Sequence, residues 1–138
     1  MDTSKLSQGQ MVAAGGGVVL IVSLFLHWAG GQSAWDGFSV VHILMLLVGI
    51  AALAWAVLPA TGAQVSLPPA APMIVGSFAL AVFGFAAGWE FEISGDVGVW
   101  LAILGSLAIA FGAFEGGRLP AAGPSAAPGP PPPSAPAV

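Results

Sequence analysis

Cysteine and tyrosine are both absent from this chain of 138 residues. Without a thiol, the protein can form no disulfide, no thiolate zinc site and no cysteine-ligated iron–sulfur cluster. The lack of cysteine also gives no indication of the redox compartment in which the protein works.

Charge is almost as scarce as these two residue types. Only 6% of the residues are charged and 57% are hydrophobic, whereas about 25% are charged in an average soluble protein. Lys5 and Arg118 are the only basic residues, so the chain cannot neutralise a run of phosphates. Nucleic acid is therefore not expected as a partner. The net charge of −4 is too scattered along the chain to indicate a cationic ligand.

The chain contains four long apolar segments. They cover about residues 11–28, 41–58, 73–89 and 97–114, and none contains Asp, Glu, Lys or Arg. Crossing a bilayer takes roughly 17 to 25 apolar residues in a helix. Buried helices of a soluble all-α core would show a polar stripe, which these segments lack. The sequence thus predicts an all-α polytopic membrane protein, a bundle of four transmembrane helices.

The predicted membrane domain covers residues 11–117 and follows a short N-terminal segment, residues 1–10. Residues 118–138 are rich in Pro and Ala, and this tail is expected to be disordered, either as a solvated linker or as a docking segment. A signal peptide is the alternative for the first segment, because Lys5 precedes it and small residues follow it. Cleavage would leave three helices.

The few charges predict an orientation. Lys5 and Arg118 flank the first and last helices, so the positive-inside rule places both termini in the cytoplasm. The loops on the outer side then carry the acidic residues Asp36, Glu90, Glu92 and Asp96. Four indoles fall near the same boundary, where tryptophan commonly anchors a helix at the headgroups: Trp28, Trp35, Trp89 and Trp100.

Small residues indicate where helices pack, because they allow two backbones to approach closely in lipid. The predicted packing positions are Gly15, Gly16 and Gly17 in the first helix, Gly84 and Gly88 in the third, and Ala108, Gly112 and Gly116 in the fourth. Ser23, Ser77 and Ser106 are the few polar residues inside the spans. We expect them to bond nearby carbonyls or a neighbouring helix rather than an ion.

His27 and His42 lie near the predicted outer boundary, together with Asp36. Imidazole and carboxylate can bind a divalent metal or relay protons, and two histidines on neighbouring helices can ligate haem. The spacing is unspecific, and we expect neither a metal site nor a cofactor. We also expect no enzyme, and the features that usually mark a transporter are missing. The chain has no Ser-His-Asp set or phosphate-binding loop, and its spans contain no ionisable carboxylate or ammonium group.

The segment Leu26-His27-Trp28, followed by Trp35-Asp36-Gly37-Phe38, resembles small, mostly uncharacterised four-helix membrane proteins of actinobacteria. In those proteins a Leu-Pro-Trp closes the first helix and a Trp-Asp-Ala/Gly-Phe element precedes the second. The resemblance covers roughly residues 11–60. Because His27 replaces the usual Pro, the first helix need not end in the same turn. The resemblance implies a bacterial inner-membrane location and no activity.

Together these patterns favour a non-enzymatic accessory or scaffolding subunit, which associates with other membrane subunits in a homo- or hetero-oligomer through its small-residue helix faces. The alternative is an oligomeric ion channel or small-solute carrier whose acidic outer mouth attracts cations.

Overall fold

A computed structural model describes residues 6–36, 39–61, 68–93 and 96–117. The predicted tail (118–138), the basic residues Lys5 and Arg118, and Gly37 and Phe38 of the resemblance motif lie outside the described residues. Four helices fill most of the described chain and confirm the mainly helical prediction: α1 (Gln8–Ser23), α2 (Val40–Val57), α3 (Ala71–Ile93) and α4 (Val97–Gly116). A short 3-10 helix, Leu58–Thr61, follows α2.

The prediction that the first helix runs to Trp28 is wrong. α1 ends at Ser23, and the chain continues into a two-stranded antiparallel hairpin of β1 (His27–Ala29) and β2 (Gln32–Ser33). The hairpin forms because Gly30 and Gly31 both adopt positive φ, 57° and 82°, as a two-residue turn of the hairpin type requires. The chain is therefore not purely all-α.

α1 also begins earlier than predicted. Ser7 and Gln10 form a reciprocal cap, in which each side-chain oxygen accepts a hydrogen bond from the other residue's backbone N–H, at 3.2 and 2.9 Å. This capping box satisfies two amides at the helix start. The helix consequently includes Gln8, Gly9 and Gln10, which the hydrophobic pattern alone excluded.

Within the described residues, three helices are long and apolar enough to cross a membrane: Val40–Val57, Ala71–Trp89 within α3, and Val97–Gly116. α1 is a shorter apolar helix of 16 residues. At a rise of 1.5 Å per residue, α1 spans about 24 Å, somewhat less than a hydrocarbon core of about 30 Å.

The helices form an antiparallel bundle around the α1/α4 pair, which shares the most extensive contact. α2 packs on α1 and α3 packs on α4, while α2 and α3 contact each other only sparsely. The largest fully buried side chains come from α1, α2, α4 and the turn after α1: Leu20, Ser23, Leu24, Met45, Val99, Ser106 and Ile109.

Candidate functional site

The contact between α1 and α4 is built from glycine. A Cβ on Gly16 would lie 2.7 Å from the carbonyl oxygen of Gly105, and a Cβ on Gly105 would lie 2.8 Å from the backbone nitrogen of Leu20. At Gly112, an added Cβ would collide with the backbone of Gly9 and Ala13. Side chains are excluded at these positions, so the two backbones touch directly. We call this contact the glycine seam.

The glycine seam follows a seven-residue repeat on α4. Small or buried residues recur at alternating spacings of four and three, and they are Gly98, Ala102, Gly105, Ile109, Gly112 and Gly116. A repeat of 3.5 residues is typical of helices that cross at a small angle along a long contact. The small-residue prediction found Gly112 and Gly116 of this repeat but missed Gly98 and Gly105, whose heptad spacing was the available signal. It also missed Gly9 on α1.

The predicted packing positions divide into two groups. Gly16, Gly17, Gly112 and Gly116 lie at helix contacts, with Gly17 against Gly49 of α2 and Gly116 against the ring of Trp55; the Ala108 side chain flanks Gly16. Gly15, Gly84 and Gly88 have no described atom of another helix within 4 Å of an added Cβ. The faces that carry these three glycines are therefore open in the described part of the monomer.

Trp28 occupies a different environment from the predicted headgroup anchor. Its side chain is 3% exposed, and its indole N–H donates to the carbonyl oxygen of Ser23 over 2.8 Å. The ring lies against the backbone of Gly98, where a Cβ would come within 2.5 Å of it, and the Asp96 amide donates to the Trp28 carbonyl oxygen over 2.9 Å. Trp28 thus joins the end of α1 to the start of α4.

The other predicted anchors differ in exposure. Trp100 is 53% exposed on α4, as an anchor would be. Trp35 and Trp89 are half-buried. Trp35 stacks at a tilt on Phe25, with ring centroids 5.8 Å apart.

A turn stabilised by Asp36 follows the hairpin. The Asp36 carboxylate accepts hydrogen bonds from the backbone N–H and the hydroxyl of Ser33, at 2.7 and 2.9 Å. These two bonds hold the pKa of Asp36 below its usual value, and the bond from the Ser33 backbone N–H has the larger effect. The nearby His27 has a smaller effect in the same direction.

Three aromatic side chains and the hairpin line a half-open cavity of about 160 Å³ at the hairpin end of the bundle. It is lined by Trp28, Ala29, Gln32, Ser33, Ala34, His42 and Trp89. The rings of His42 and Trp89 both contact Trp28 edge to face, with centroids 5.3 and 6.5 Å from it. We call this space the tryptophan cavity.

Two polar atoms beside the tryptophan cavity have no hydrogen-bond partner among the described residues. They are Nε2 of His42, a side chain that is 5% exposed, and Nε1 of Trp89. The other ring nitrogen of His42 lies 3.3 Å from the Ser39 hydroxyl. A buried polar group left unpaired costs about 1–3 kcal/mol of stability, and each of these two nitrogens is almost completely covered by protein atoms.

The two histidines are not brought together as ligands. His42 is buried against Trp28, whereas His27 is exposed on β1, where alternation turns its side chain away from that of Trp28. No group of three or more His, Asp or Glu side chains in the described part of the chain could hold a metal ion. The described geometry therefore gives no support to the histidine–carboxylate metal site or to bis-histidine haem.

The intrahelical serines behave as packing residues. Ser23 and Ser106 donate to the carbonyl oxygens of Leu20 and Ile103, three residues earlier, over 2.6 and 3.0 Å. Ser77 lies at an exposed position of α3. The two buried hydroxyls are thus satisfied within their own helices.

Comparison of the chain with protein-family models, curated proteins and solved structures finds no match. The resemblance to actinobacterial four-helix membrane proteins therefore stays a prediction.

Proposed function

We propose that the protein is a multi-pass protein of a bacterial inner membrane that acts as a non-enzymatic accessory or scaffolding subunit. In this proposal, residues 11–117 are the membrane domain, both termini are cytoplasmic, and an exposed helix face binds helices of other subunits.

The exposed surface supports the membrane location. Large apolar side chains on all four helices are about half exposed or more, among them Val18 on α1, Leu47 on α2, Met73 and Ile74 on α3, and Leu104 and Phe111 on α4. A soluble monomer rarely exposes so continuous an apolar surface. In lipid, exposing this apolar surface carries no free-energy cost.

The glycine seam supports the orientation. It places Gly9, near the start of α1, beside Gly116 at the end of α4, so both helices have these ends on one side of the bundle. Lys5 precedes α1 in the sequence and Arg118 follows α4. The positive-inside rule assigns that side to the cytoplasm, which leaves the hairpin on the outer side.

The observation that carries the subunit hypothesis is the open face of α3. Gly84 and Gly88 are exposed, four residues apart, and meet no described neighbour. Only 28% of the apolar span of α3 is buried, against 56% for α4. Paired glycines at this spacing allow a second helix to approach closely, so α3 has the surface that an associating subunit needs.

Cysteine cross-linking tests this proposal cleanly, because the natural chain has no cysteine. Gly84→Cys and Gly88→Cys would be oxidised in native membranes, with Leu104→Cys on the exposed surface of α4 as the matched control. We expect cross-links from the two α3 positions and few from α4. A disulfide product of twice the chain's mass would identify a second copy, and a product of another mass would identify a different subunit that carries a cysteine.

A monomeric mass in mild detergent, together with no cross-link from α3 above the control, would contradict the subunit hypothesis. Ion-selective leakage from liposomes that contain the purified protein would favour the channel or carrier instead.

Orientation has its own test. Gln32→Cys in the hairpin should react with a membrane-impermeant maleimide added to intact cells, and Ala122→Cys in the tail should react only after the cells are opened. The reverse pattern would contradict the proposed orientation.

A further inference from the structure

We infer that a groove between α2 and α3 binds one acyl chain of a membrane phospholipid and holds it longer than the rest of the protein surface holds lipid. This inference rests on the proposed membrane location but not on the proposed subunit role.

The groove exists because α2 and α3 contact each other only sparsely, while α2 packs on α1 and α3 packs on α4. It has a volume of about 250 Å³, and one face of each helix lines it: Leu44, Leu47, Val48 and Ala51 of α2, and Ile74, Val75 and Phe78 of α3. The spacing of the four α2 residues places them on one side of that helix. From the first of them to the last, the groove extends about 10 Å along α2. We call this space the α2/α3 groove.

The lining of the α2/α3 groove is apolar throughout. None of its seven side chains carries a nitrogen or oxygen atom. Val48 is 5% exposed at the base, whereas Leu47 and Ile74 are about half exposed on the two walls. A polar group placed there would lose its hydrogen bonds to water and gain none from these side chains. The occupant must therefore be apolar along its whole length.

Other segments of this chain do not meet that requirement. Residues 62–67 join the two helices at the end of α2, and six residues reach out and back over about 10 Å at most. Leu47 lies ten residues before the end of α2, or about 15 Å away. An extended proline-rich segment such as residues 118–138 has no internal hydrogen bonds, so its backbone carbonyls would be unsatisfied in the groove.

A helix of another subunit does not enter the groove either. Because α2 and α3 still meet, the space between them is narrower than a helix, which is about 10–12 Å across with its side chains. Six of the seven lining residues are larger than alanine, whereas helices in lipid associate through small residues. An unbranched acyl chain is narrow and has no polar atom along its length, so it fits.

The shape of the α2/α3 groove favours retention of the chain. A lipid chain inside it contacts two helices and the base between them. A lipid chain beside α4, where Leu104 and Phe111 are exposed, contacts the convex surface of one helix. Dispersion attraction increases with the number of atoms in contact, so the chain in the groove should exchange with bulk lipid more slowly.

Photolabelling of the full-length protein in liposomes tests the inference with two matched pairs of residues. The probe is phosphatidylethanolamine with a diazirine midway along one acyl chain, and mass spectrometry locates the labelled side chains. Leu47 in the groove and Leu104 on α4 are 55% and 58% exposed, and each lies seven residues after the first residue of its helix. Phe78 in the groove and Phe111 on α4 are 47% and 62% exposed. We expect each groove residue to be labelled at least about threefold more than its counterpart, which corresponds to roughly five additional carbon–carbon contacts for the bound chain.

A bulky side chain in the groove should displace the lipid. Ala51→Phe would fill the space between the two walls and should remove the excess labelling of Leu47 and Phe78. Ala54→Phe adds the same ring to the same helix, at an exposed position that does not line the groove, and should leave the excess unchanged. Circular dichroism checks that the helices are intact in both variants.

Three outcomes would overturn the inference. They are equal labelling within both pairs, an equal effect of Ala51→Phe and Ala54→Phe on the labelling of the groove, and a disulfide between two Leu47→Cys chains in native membranes, which would show that a second copy occupies the groove. Labelling of none of the four residues would contradict the proposed membrane location as well. Cross-linking at Gly84 and Gly88 is a separate measurement, so equal labelling within the pairs leaves the subunit proposal standing.

Discussion

The carbonyl oxygen of Ser23 accepts a hydrogen bond from the indole N–H of Trp28, five residues later, over 2.8 Å. The same oxygen also accepts from the Leu26 amide over 3.2 Å. Carbonyls in the last turn of a helix lack the amide four residues later that would bond them, and a buried one needs another partner. The indole and the Leu26 amide together bond the Ser23 carbonyl, and the chain can leave α1 for the hairpin.

Trp28→Phe should therefore destabilise the protein by about 1–3 kcal/mol, through the lost hydrogen bond and the space left beside Gly98. Unfolding in a denaturing-detergent titration, followed by circular dichroism, measures the change. Trp100→Phe is the control, since Trp100 is 53% exposed and should change stability much less. Equal effects at the two positions would contradict the capping role.

The glycine seam makes a second prediction from a matched pair of substitutions. Gly112→Ala places a methyl group against the backbone of Gly9 and Ala13, and overpacking of this kind costs about 1–3 kcal/mol. Gly84→Ala, also in a helix but in open space, should be neutral or stabilising by up to about 1 kcal/mol. The same unfolding titration measures both variants. If Gly112→Ala is no more destabilising than Gly84→Ala, α1 and α4 are not in backbone contact.

Much of the helical architecture follows from hydrophobicity alone. The predicted second helix, residues 41–58, differs from Val40–Val57 by one residue at each end. The end of the first helix could not be found this way, because the apolar run continues through Leu24, Phe25 and Leu26 after the helix has stopped. The Gly30-Gly31 pair was the missed signal, since two adjacent glycines between short extended segments indicate a hairpin turn.

The candidate site was less predictable than the fold. Trp28 lies at the end of an apolar segment, a position typical of an interface anchor. Its indole N–H instead donates to a backbone carbonyl, and a sequence pattern does not reveal such a hydrogen bond. The tryptophan cavity joins β1, α2 and α3, so its existence depends on how distant segments meet. His42 could be singled out by residue type, whereas its contact with Trp28 required the tertiary structure.

The hairpin turn should be sensitive to any side chain at Gly31. Its φ of 82° lies in the left-handed region, which costs other residues about 1–2 kcal/mol. Gly31→Ala should loosen the hairpin, and limited proteolysis should cut it faster than in the parent. Gly15→Ala, at an exposed helical position with open space around it, should leave the cleavage rate unchanged. Faster cleavage in both variants would point to a general loss of stability instead.

The Asp36 turn should depend on pH in a defined direction. Because the folded pKa of Asp36 is lowered by its bonds from Ser33, the stabilisation is present above the unfolded pKa of about 3.9 and is lost as the pH falls through the still lower folded value. The amide proton resonance of Ser33 should therefore titrate with a midpoint below about pH 3.9. Asp36→Asn should abolish that titration, and Ser33→Ala, which keeps the backbone donor but not the hydroxyl, should move the midpoint part of the way back. A midpoint at or above the ordinary aspartate value would show that the carboxylate does not accept these bonds in the folded protein.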